Sequence, residues 1–261
     1  MIHPTALISP DACVDTSATI GPYCVVGPQV VVKGNVQLMA HAIVECNTTI
    51  GAGSVIHSFA VVGGNPQDLG YQNEHTSVVV GNNTIIREHV TISRGTVKGG
   101  AVTHVGDHCM IMAGAHVGHD CRVGNHVILS NQATLGGHVV VDDYAVLGGL
   151  SAVHQFCRIG EGAMVAGMSG ATRDVLPYTI VRGVPASLQS VNRVRLTRMG
   201  VSHDEVMAVK HVFDCVRNTD DHAGTLSERI NALHPDIVAF DKVRTMVDFI
   251  RQQDKRPLCI H

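Results

Sequence analysis

The residues best suited to proton transfer in this sequence are histidines near the middle of the chain. His119, His138 and His154 each follow an aliphatic residue by one to three positions, and His116 precedes the first of those aliphatics. A neutral imidazole titrates near neutral pH, so such a ring is suited to act as a general base. Two alternatives stay open: three imidazoles can bind zinc, and a chain with 17 His can place a few together by chance.

These histidines lie inside a repeat of six residues. Every sixth residue is aliphatic from Ile2 to Val62, and the same phase returns from Val80 to Ile92. A shifted phase runs from Val105 to Val165. The pattern therefore predicts two excursions that leave the repeat and rejoin it, at residues 63–79 and about 93–104.

A six-residue period matches neither an α-helix, near 3.6, nor an amphipathic strand, near 2. It suits a short strand followed by a corner, with the aliphatic side chain inward and a small residue four positions later at the bend. A closed coil needs at least three sides, so we expect about 18 residues per coil and roughly eight coils stacked about 4.8 Å apart. This geometry places His119, His138 and His154 on one side of three successive coils.

The eight cysteines offer a rival chemistry, a covalent thioester. Cys24, Cys109, Cys121 and Cys157 occupy the small inward position of the repeat, where a thiol acts as a modest hydrophobe. The remaining four have no His-rich surroundings: Cys13, Cys46, Cys215 and Cys259. The sequence therefore favours reduced packing residues over a cysteine nucleophile.

The composition changes near residue 186. Ser202 to Glu205 forms a capping box ahead of an apolar helical stripe, and Thr225 to Glu228 forms a second. Pro235 suits the first turn of a further helix. We expect a β-helix over residues 1–185 and a small helical domain over 186–261.

Composition also limits the function classes. The formal net charge of −3 is too small to indicate a nucleic-acid partner. The chain begins MIHPTALISP, without a basic leader, and has no run of about 18 apolar residues. These features predict a cytoplasmic protein without a transmembrane segment.

Several local strings resemble, in order and spacing, those of the UDP-N-acetylglucosamine acyltransferase family. They are Ala115-His116-Val117-Gly118-His119-Asp120-Cys121, Gly136-Gly137-His138-Val139, Gly148-Gly149-Leu150-Ser151-Ala152-Val153-His154-Gln155-Phe156, Pro66-Gln67-Asp68-Leu69 and Ile86-Arg87-Glu88. The resemblance covers nearly the whole chain. It implies a left-handed parallel β-helix, whereas the period alone sets no hand and parallel crossovers are normally right-handed.

The resemblance implies transfer of a 3-hydroxyacyl group from acyl carrier protein to the 3-hydroxyl of UDP-N-acetylglucosamine, the first step of lipid A synthesis. It implies neither a metal nor another cofactor. His119 matches the general base, and Asp120 matches the residue that orients it. The backbone N–H of Gly137 matches the donor that stabilises the oxyanion. Because adjacent residues of a strand point to opposite faces, a His119–Asp120 pair requires a corner there.

The same resemblance assigns binding residues and an assembly. The family's sugar-binding positions match Gln67, Asp68, His116 and His138, and its positions along the nucleotide and acyl groove match His154 and Gln155. Its positions that face the nucleotide and its phosphates match Asn192 and Arg198. Its positions that limit acyl length match Gly167 and Met168. The family is a homotrimer with its cleft between subunits. An acidic carrier protein could dock on a patch of arginines at 158, 173, 193, 195 and 198.

The sequence departs from the family at four positions. Gly70 replaces a lysine, Ser93 a histidine, Val194 an acidic residue and Met199 an arginine. The nucleotide contacts made there in the family are not carried over. Three alternatives remain: acylation of a 3-amino analogue to give an amide, a metal-binding hexapeptide protein of the gamma-carbonic-anhydrase type, and a β-helix scaffold without catalysis.

Overall fold

The computed structural model describes residues 1–218, 224–252 and 255–260. Its larger part is a three-sided parallel β-helix whose sides, here called face 1, face 2 and face 3, contain nine, eight and ten strands. Strands β1 to β25 pass in turn from face 1 to face 2 to face 3 and back, and each of β1 to β22 pairs with the strand three further along the chain. We call the three edges corner 1–2, corner 2–3 and corner 3–1.

The strands are short and are numbered in chain order. Face 1 contains β1 (Leu7–Ile8), β4 (Val25–Val26), β7 (Ile43–Val44), β10 (Val61–Gly64), β13 (Thr91–Ser93), β16 (His116–Val117), β19 (Thr134–Leu135), β22 (Ala152–Val153) and β25 (Gly170–Ala171). Face 2 contains β2 (Cys13–Val14), β5 (Val31–Val32), β8 (Thr48–Ile50), β11 (Ser77–Val80), β14 (Val102–Val105), β17 (Arg122–Val123), β20 (Val140–Val141) and β23 (Arg158–Ile159). Face 3 contains β3 (Thr19–Ile20), β6 (Gln37–Leu38), β9 (Val55–Ile56), β12 (Ile85–Ile86), β15 (Met110–Ile111), β18 (Ile128–Leu129), β21 (Val146–Leu147), β24 (Met164–Val165), β26 (Thr179–Gly183) and β27 (Ala186–Val191).

The six-residue pattern is confirmed as the basis of the coil. Val117 pairs with Leu135 and Leu135 with Val153, so one coil takes 18 residues. These aliphatics are buried, and so are the small residues at the bends, such as Cys121 and Ala133. The core is therefore a continuous column of aliphatic layers, and the cysteines predicted to pack there do so.

Both excursions leave the coil at corner 1–2. The first occupies residues 65–76 and the second residues 94–101, and each is shorter than predicted because its flanking strands extend into it. The buried side chain of Arg94 joins them, donating to the Gly63 carbonyl, to Asn65 Oδ1 and to Tyr71 Oη at 3.2 Å. The two excursions therefore form one connected surface layer.

Within the described residues, five α-helices follow the strands. They are α1 (Arg193–Arg198), α2 (His203–Arg217), α3 (Leu226–Asn231), α4 (Pro235–Val238) and α5 (Asp241–Arg251). Thr225 and Glu228 form the predicted capping box of α3. Ser202 caps α2, whereas the Glu205 carboxylate accepts from the Lys242 N–H at 2.8 Å instead of completing the first box.

The last strand, β27, falls on the helical side of the proposed domain boundary at 185/186, although it pairs with β26 on the other side. β26 and β27 form an antiparallel pair at the end of face 3, and the helices begin only at Arg193. Strands β25 and β26 also continue the coil after Val165, where the sequence pattern fades. No α-helix in the described ranges is long and apolar enough to cross a membrane.

Candidate active site

The predicted histidine row lies along corner 1–2, beside the two excursions. His119, His138 and His154 follow β16, β19 and β22, which are neighbours in face 1. Their predicted position on one side of successive coils is confirmed. Asp120, His138 and Phe156 occupy the same turn position, with φ of 60°, 61° and 66°.

His119 and Asp120 form a hydrogen-bonded pair. His119 Nδ1 lies 2.8 Å from Asp120 Oδ2, and the left-handed backbone of Asp120 supplies the corner that this pairing of neighbours requires. A carboxylate can only accept, so the imidazole proton lies on Nδ1 and Nε2 carries a lone pair. The pair is therefore built like a general base with an orienting acid.

The second excursion buries the Asp120 carboxylate. The Thr96 N–H donates to Oδ1 at 2.8 Å, and the Thr96 hydroxyl donates to Oδ2 at 2.7 Å. A Cβ added at Gly99 would lie 2.0 Å from Asp120 Cγ, so only glycine fits there. The Asp120 N–H donates to Thr103 Oγ1 at 2.8 Å. Thr96 and Gly99 lie in the excursion, outside the repeat, and Thr103 lies in β14; the sequence reasoning missed all three.

Gly137 lies directly against the His119 ring. A Cβ added to Gly137 would be 2.5 Å from Cε1 and 2.6 Å from Nε2 of that ring. Glycine is therefore required for steric reasons, and its backbone approaches the basic nitrogen closely. Among the described residues, no hydrogen bond uses the Gly137 N–H as donor.

Two further imidazoles flank the pair and tend to stay neutral. His138 stacks on Phe156 at 4.5 Å between ring centres and meets His119 edge-on at 5.0 Å. Burial lowers the pKa of His138 against the opposing effect of Asp120. Burial also lowers the pKa of His116, and the nearby His119 adds to this shift. His116 Nδ1 is 2.7 Å from Thr91 Oγ1.

Two adjoining cavities meet at His119. One of about 710 Å³ is lined by Gln67, Asp68, Leu69, Lys98, Gly99, His119, His138, Gln155, Phe156 and Lys255. Another of about 370 Å³ is lined by Gln67, Ser93, His116, Gly118, His119, Thr134, Leu135, Gly136, Gly137, Val153, His154 and Gln155. The structure therefore brings the predicted catalytic residues together with Gln67, Asp68, His116, His138, His154 and Gln155.

The sequence reasoning missed three cations beside this cleft. Lys98 comes from the second excursion, while Lys255 and Arg256 come from the end of the chain. The Lys255 ammonium lies 4.6 Å from the centre of the Phe156 ring, and Arg256 Nη2 lies 2.8 Å from His154 Nδ1. No periodic signal marks them, because each lies in an irregular segment.

Four predicted site residues lie at other corners of the same chain. Asn192 caps α1 and donates from Nδ2 to the Gly162 carbonyl at 3.0 Å, which places it at corner 2–3. Arg198 is exposed on the same short helix. Gly167 and Met168 are exposed at corner 3–1. Within one chain, these four residues therefore lie at different corners from His119.

The positions that depart from the family pattern are now located. Gly70 lies beside Lys98, Ser93 is buried in the wall of the smaller cavity, and Val194 is exposed on α1. Met199 ends α1 and packs against the core.

The arginine patch cannot include Arg158. Its Nε donates to Asp174 at 2.7 Å and its Nη2 to the Phe249 carbonyl at 3.1 Å, so it ties the β-helix to α5. The prediction that Arg158 is available for docking is therefore wrong. A sequence pattern cannot show that a partner such as Asp174 will neutralise a cation.

The candidate metal ligands differ from the predicted three imidazoles. Ligand atoms of His119, Asp120 and His138 lie within 4.8 Å of one another. His154 is not among them; its Nδ1 lies 2.8 Å from Arg256 Nη2. Both Asp120 oxygens already accept hydrogen bonds from Thr96, so a metal would have to compete with these bonds.

Comparison with known proteins places the chain among acyltransferases. A family model described as UDP-N-acetylglucosamine O-acyltransferase, domain 2, matches residues 174–259, and one described as bacterial transferase hexapeptide matches residues 103–137. A Rhizobium etli protein named acyl-(acyl-carrier-protein)–UDP-N-acetylglucosamine O-acyltransferase is 42% identical over 98% of this chain and 93% of its own length. A Synechocystis relative of the same name is 41% identical, and the chain spans only 58% of its length. The solved UDP-N-acetylglucosamine acyltransferase of Francisella novicida has a TM-score of 0.94 at 35% identity, covering 100% of this chain and 94% of its own.

Proposed function

We infer that this chain, which belongs to the UDP-N-acetylglucosamine O-acyltransferase family, transfers a 3-hydroxyacyl group from acyl carrier protein to the 3-hydroxyl of UDP-N-acetylglucosamine. The observation that carries the inference is the His119–Asp120 pair in the wall of two adjoining cavities. Its buried carboxylate fixes the imidazole proton on Nδ1 and leaves Nε2 as the base.

In the proposed reaction the sugar 3-hydroxyl gives its proton to His119 Nε2 as its oxygen attacks the thioester carbon. The N–H of Gly137, the residue that packs against this ring, donates to the oxyanion as charge develops. The C–S bond then breaks, and the imidazolium returns the proton to the departing thiolate. The products are a sugar ester and the free thiol of the carrier protein, and no metal or other cofactor takes part.

The cavity walls suit an oxygen-rich acceptor. Gln67 and Asp68 of the first excursion face the same cavity as His119 and His138. Amide and carboxylate oxygens accept from sugar hydroxyls, while the neutral imidazole of His138 can donate or accept. We therefore assign the sugar to the larger cavity. The smaller cavity, which reaches His154 and Gln155, suits the nucleotide or acyl chain.

We propose that the active form is a homotrimer. The residues predicted to bind phosphate and to limit acyl length, Arg198 and Met168, lie at corners that flank face 3, away from His119. A ring of identical subunits joins two different surfaces of the chain, so a neighbour's face 3 flanks can complete the site. Large apolar side chains are exposed at corner 1–2, on Leu69 and Val97, and near corner 3–1, on Leu150, Met168 and Val184. Such patches are typical of protein interfaces.

One assay tests the reaction. Purified protein is supplied with a series of 3-hydroxyacyl carrier proteins and either UDP-N-acetylglucosamine or its 3-amino analogue, and the products are identified by mass. An ester product supports the proposal, and an amide formed only from the amine supports the alternative acceptor. Absence of acyl transfer to both sugars would contradict the proposed function.

Metal analysis separates the zinc alternative. We expect protein purified without added zinc to retain full activity in the presence of EDTA. Stoichiometric zinc that is lost on replacing His119 or His138, together with loss of activity in EDTA, would favour a metal enzyme instead.

Mixed assemblies test the shared site. His119→Ala and Arg198→Ala subunits, each inactive alone, are unfolded and reassembled together. Recovery of activity, with a mass of three subunits by light scattering, is expected because some clefts then combine two intact halves. If mixing restores nothing although trimers form, both residues act within one chain.

A further inference from the structure

A lysine that the sequence reasoning did not single out stands in the cleft. Lys98 belongs to the 3₁₀ turn Val97–Gly99 of the second excursion, and the next residue, Gly99, packs on the Asp120 carboxylate. The turn that helps to fix the orienting acid therefore also presents an ammonium group to the larger cavity, where Lys98 and His119 are both lining residues. The anchored turn therefore fixes where the Lys98 backbone lies relative to the base.

The ammonium group of Lys98 lies close to Gly70 of the first excursion. A Cβ added at Gly70 would lie 3.5 Å from Lys98 Nζ and 3.3 Å from Asp68 Oδ1. The Asp68 carboxylate itself is oriented by the Gly70 N–H, which donates to Oδ1 at 2.7 Å. Lys98 and Asp68 thus approach the same point from the two excursions.

In the described part of the chain, the Lys98 ammonium group has no acidic side chain as a partner. Within the described part of the chain, no carboxylate oxygen lies within 4.0 Å of Lys98 Nζ, and the side chain is exposed to the cavity. Lysine has three donors and no acceptor, whereas a carboxylate only accepts. Side by side, the two groups can bind adjacent oxygens of a sugar: Asp68 accepts from one hydroxyl, and Lys98 donates to the next oxygen.

We propose that Lys98 is a substrate-binding residue, which donates to an oxygen of the sugar ring or its substituents and, with Asp68, holds the acceptor hydroxyl at His119. The proposal rests on the proposed function and specifies how this chain grips its nucleotide sugar. Arg94 supports the arrangement, because it joins the excursion that carries Asp68 to the one that carries Lys98.

Lys98→Met keeps the length of the side chain and removes its charge. We expect the KM for UDP-N-acetylglucosamine to rise about tenfold, the loss typical of a charged hydrogen bond, while kcat and the KM for the acyl carrier protein change less than about twofold. Lys33→Met, at an exposed position on the distant N-terminal coils, is the matched control and should leave all three values unchanged.

A second variant moves the ammonium group from position 98 to position 70. It tests whether the position of the charge, and not the folding of the turn, accounts for the loss of affinity. In a Lys98→Met background, Gly70→Lys places a new lysine beside the vacated space, and we expect it to recover most of the lost affinity. In the unchanged chain, Gly70→Lys crowds two cations and should give no gain. A structural role for Lys98 would not be rescued by a lysine on the other excursion.

Calorimetry with UDP-N-acetylglucosamine alone, without carrier protein, distinguishes a failure of the Lys98 role from a failure of the proposed function. If the unchanged protein is active and binds the sugar nucleotide, but Lys98→Met alters neither KM nor binding, the role of Lys98 is overturned and the proposed function stands. If the unchanged protein binds no UDP-N-acetylglucosamine, both are overturned.

Discussion

All three corners of the β-helix carry stacked rings, yet only corner 1–2 is organised for proton transfer. At corner 3–1, Tyr23, His41, Phe59 and His89 form a ladder with ring centres 5.1–5.2 Å apart and interplanar angles of 6–15°. At corner 1–2, His119 and His138 have a similar spacing of 5.0 Å but meet at 89°. The repeat sets the spacing in both places and does not set the chemistry.

The difference comes from the excursions. The ladder histidines are exposed, and within the described residues neither has a carboxylate oxygen within 4.0 Å. At corner 1–2 the second excursion covers Asp120 and supplies Thr96 as a donor, and Asp120 in turn holds His119, which directly precedes the stacked turn position. The regular coil therefore places imidazoles along its corners, and the irregular excursion holds the Asp120 carboxylate that orients one of them as a base.

The largest effect should follow from removing that base. We expect His119→Ala to lower kcat by about 10²–10⁴, the range for loss of a general base. The matched change, His126→Ala, removes a ring stacked in the His108–His126–Tyr144 ladder of corner 2–3. It should leave kcat within about twofold. Equal kcat values for the two variants would mean that corner 1–2 has no special role in catalysis and would favour the scaffold alternative.

A smaller loss should follow when the base is displaced rather than removed. Gly137→Ala puts a methyl group about where the His119 ring lies, 2.5 Å from Cε1, and a displacement near 1 Å costs on the order of a hundredfold in rate. Gly149→Ala is the control at the same turn position of corner 3–1, where the added Cβ would lie 3.5 Å from the Asn131 carbonyl oxygen. Acyl transfer assays should show the loss only for Gly137→Ala. Full activity in that variant would mean that His119 can move without consequence.

The contribution of the excursion itself is tested at Thr96. Thr96→Val deletes the hydroxyl that donates to Asp120 at 2.7 Å, so Asp120 is held less firmly and kcat should fall about tenfold with little change in either KM. Thr96→Ser keeps the hydroxyl and should restore most of the rate. Thr19→Val, at an exposed position on β3, is the control for the substitution as such. If Thr96→Ser is as slow as Thr96→Val, the hydroxyl is not the positioning group.

The sequence predicts what is periodic. Val117, Leu135 and Val153 were enough to place the histidines on one edge, because the hydrogen-bonded coil repeats its geometry every 18 residues. Thr96 and Lys98 could not be placed in this way, because an excursion has no period to extrapolate. The C-terminal cations Lys255 and Arg256 reach the site only through the folding of the helical domain.

The role of Asn192 as a helix N-cap could be predicted from the sequence. Asparagine immediately before a helix is a preferred N-cap, and the Asn192 side chain accepts from the Arg195 N–H at 3.1 Å. The resemblance assigned this residue to the nucleotide, and local capping chemistry explains its burial in the chain itself.

The smallest effect contrasts two acids at different corners, the buried Asp120 and the half-buried Asp142. Asp120 at corner 1–2 has three hydrogen-bond donors, whereas in the described chain no hydrogen bond reaches the carboxylate of Asp142, near corner 2–3. Burial raises the pKa of Asp142 to about 6 from 3.8, against the opposing effect of Arg158. The folded state therefore keeps this proton up to about pH 6 while the unfolded state loses it near pH 3.8, so stability falls as the pH rises through this window.

Asp142→Asn should therefore stabilise the protein at pH 7 by about 1 kcal/mol, a figure reduced for partial exposure of the carboxyl group, and by little at pH 3.8. Thermal unfolding at matched protein concentration and at both pH values measures the difference. Asp143→Asn is the control, because Asp143 Oδ1 accepts from the Asn125 N–H at 2.7 Å and its loss should not stabilise. An Asp142→Asn variant that is less stable at pH 7 would show that the carboxylate is solvated or paired after all. The contrast between supported and unsupported acids would then hold only at the active corner.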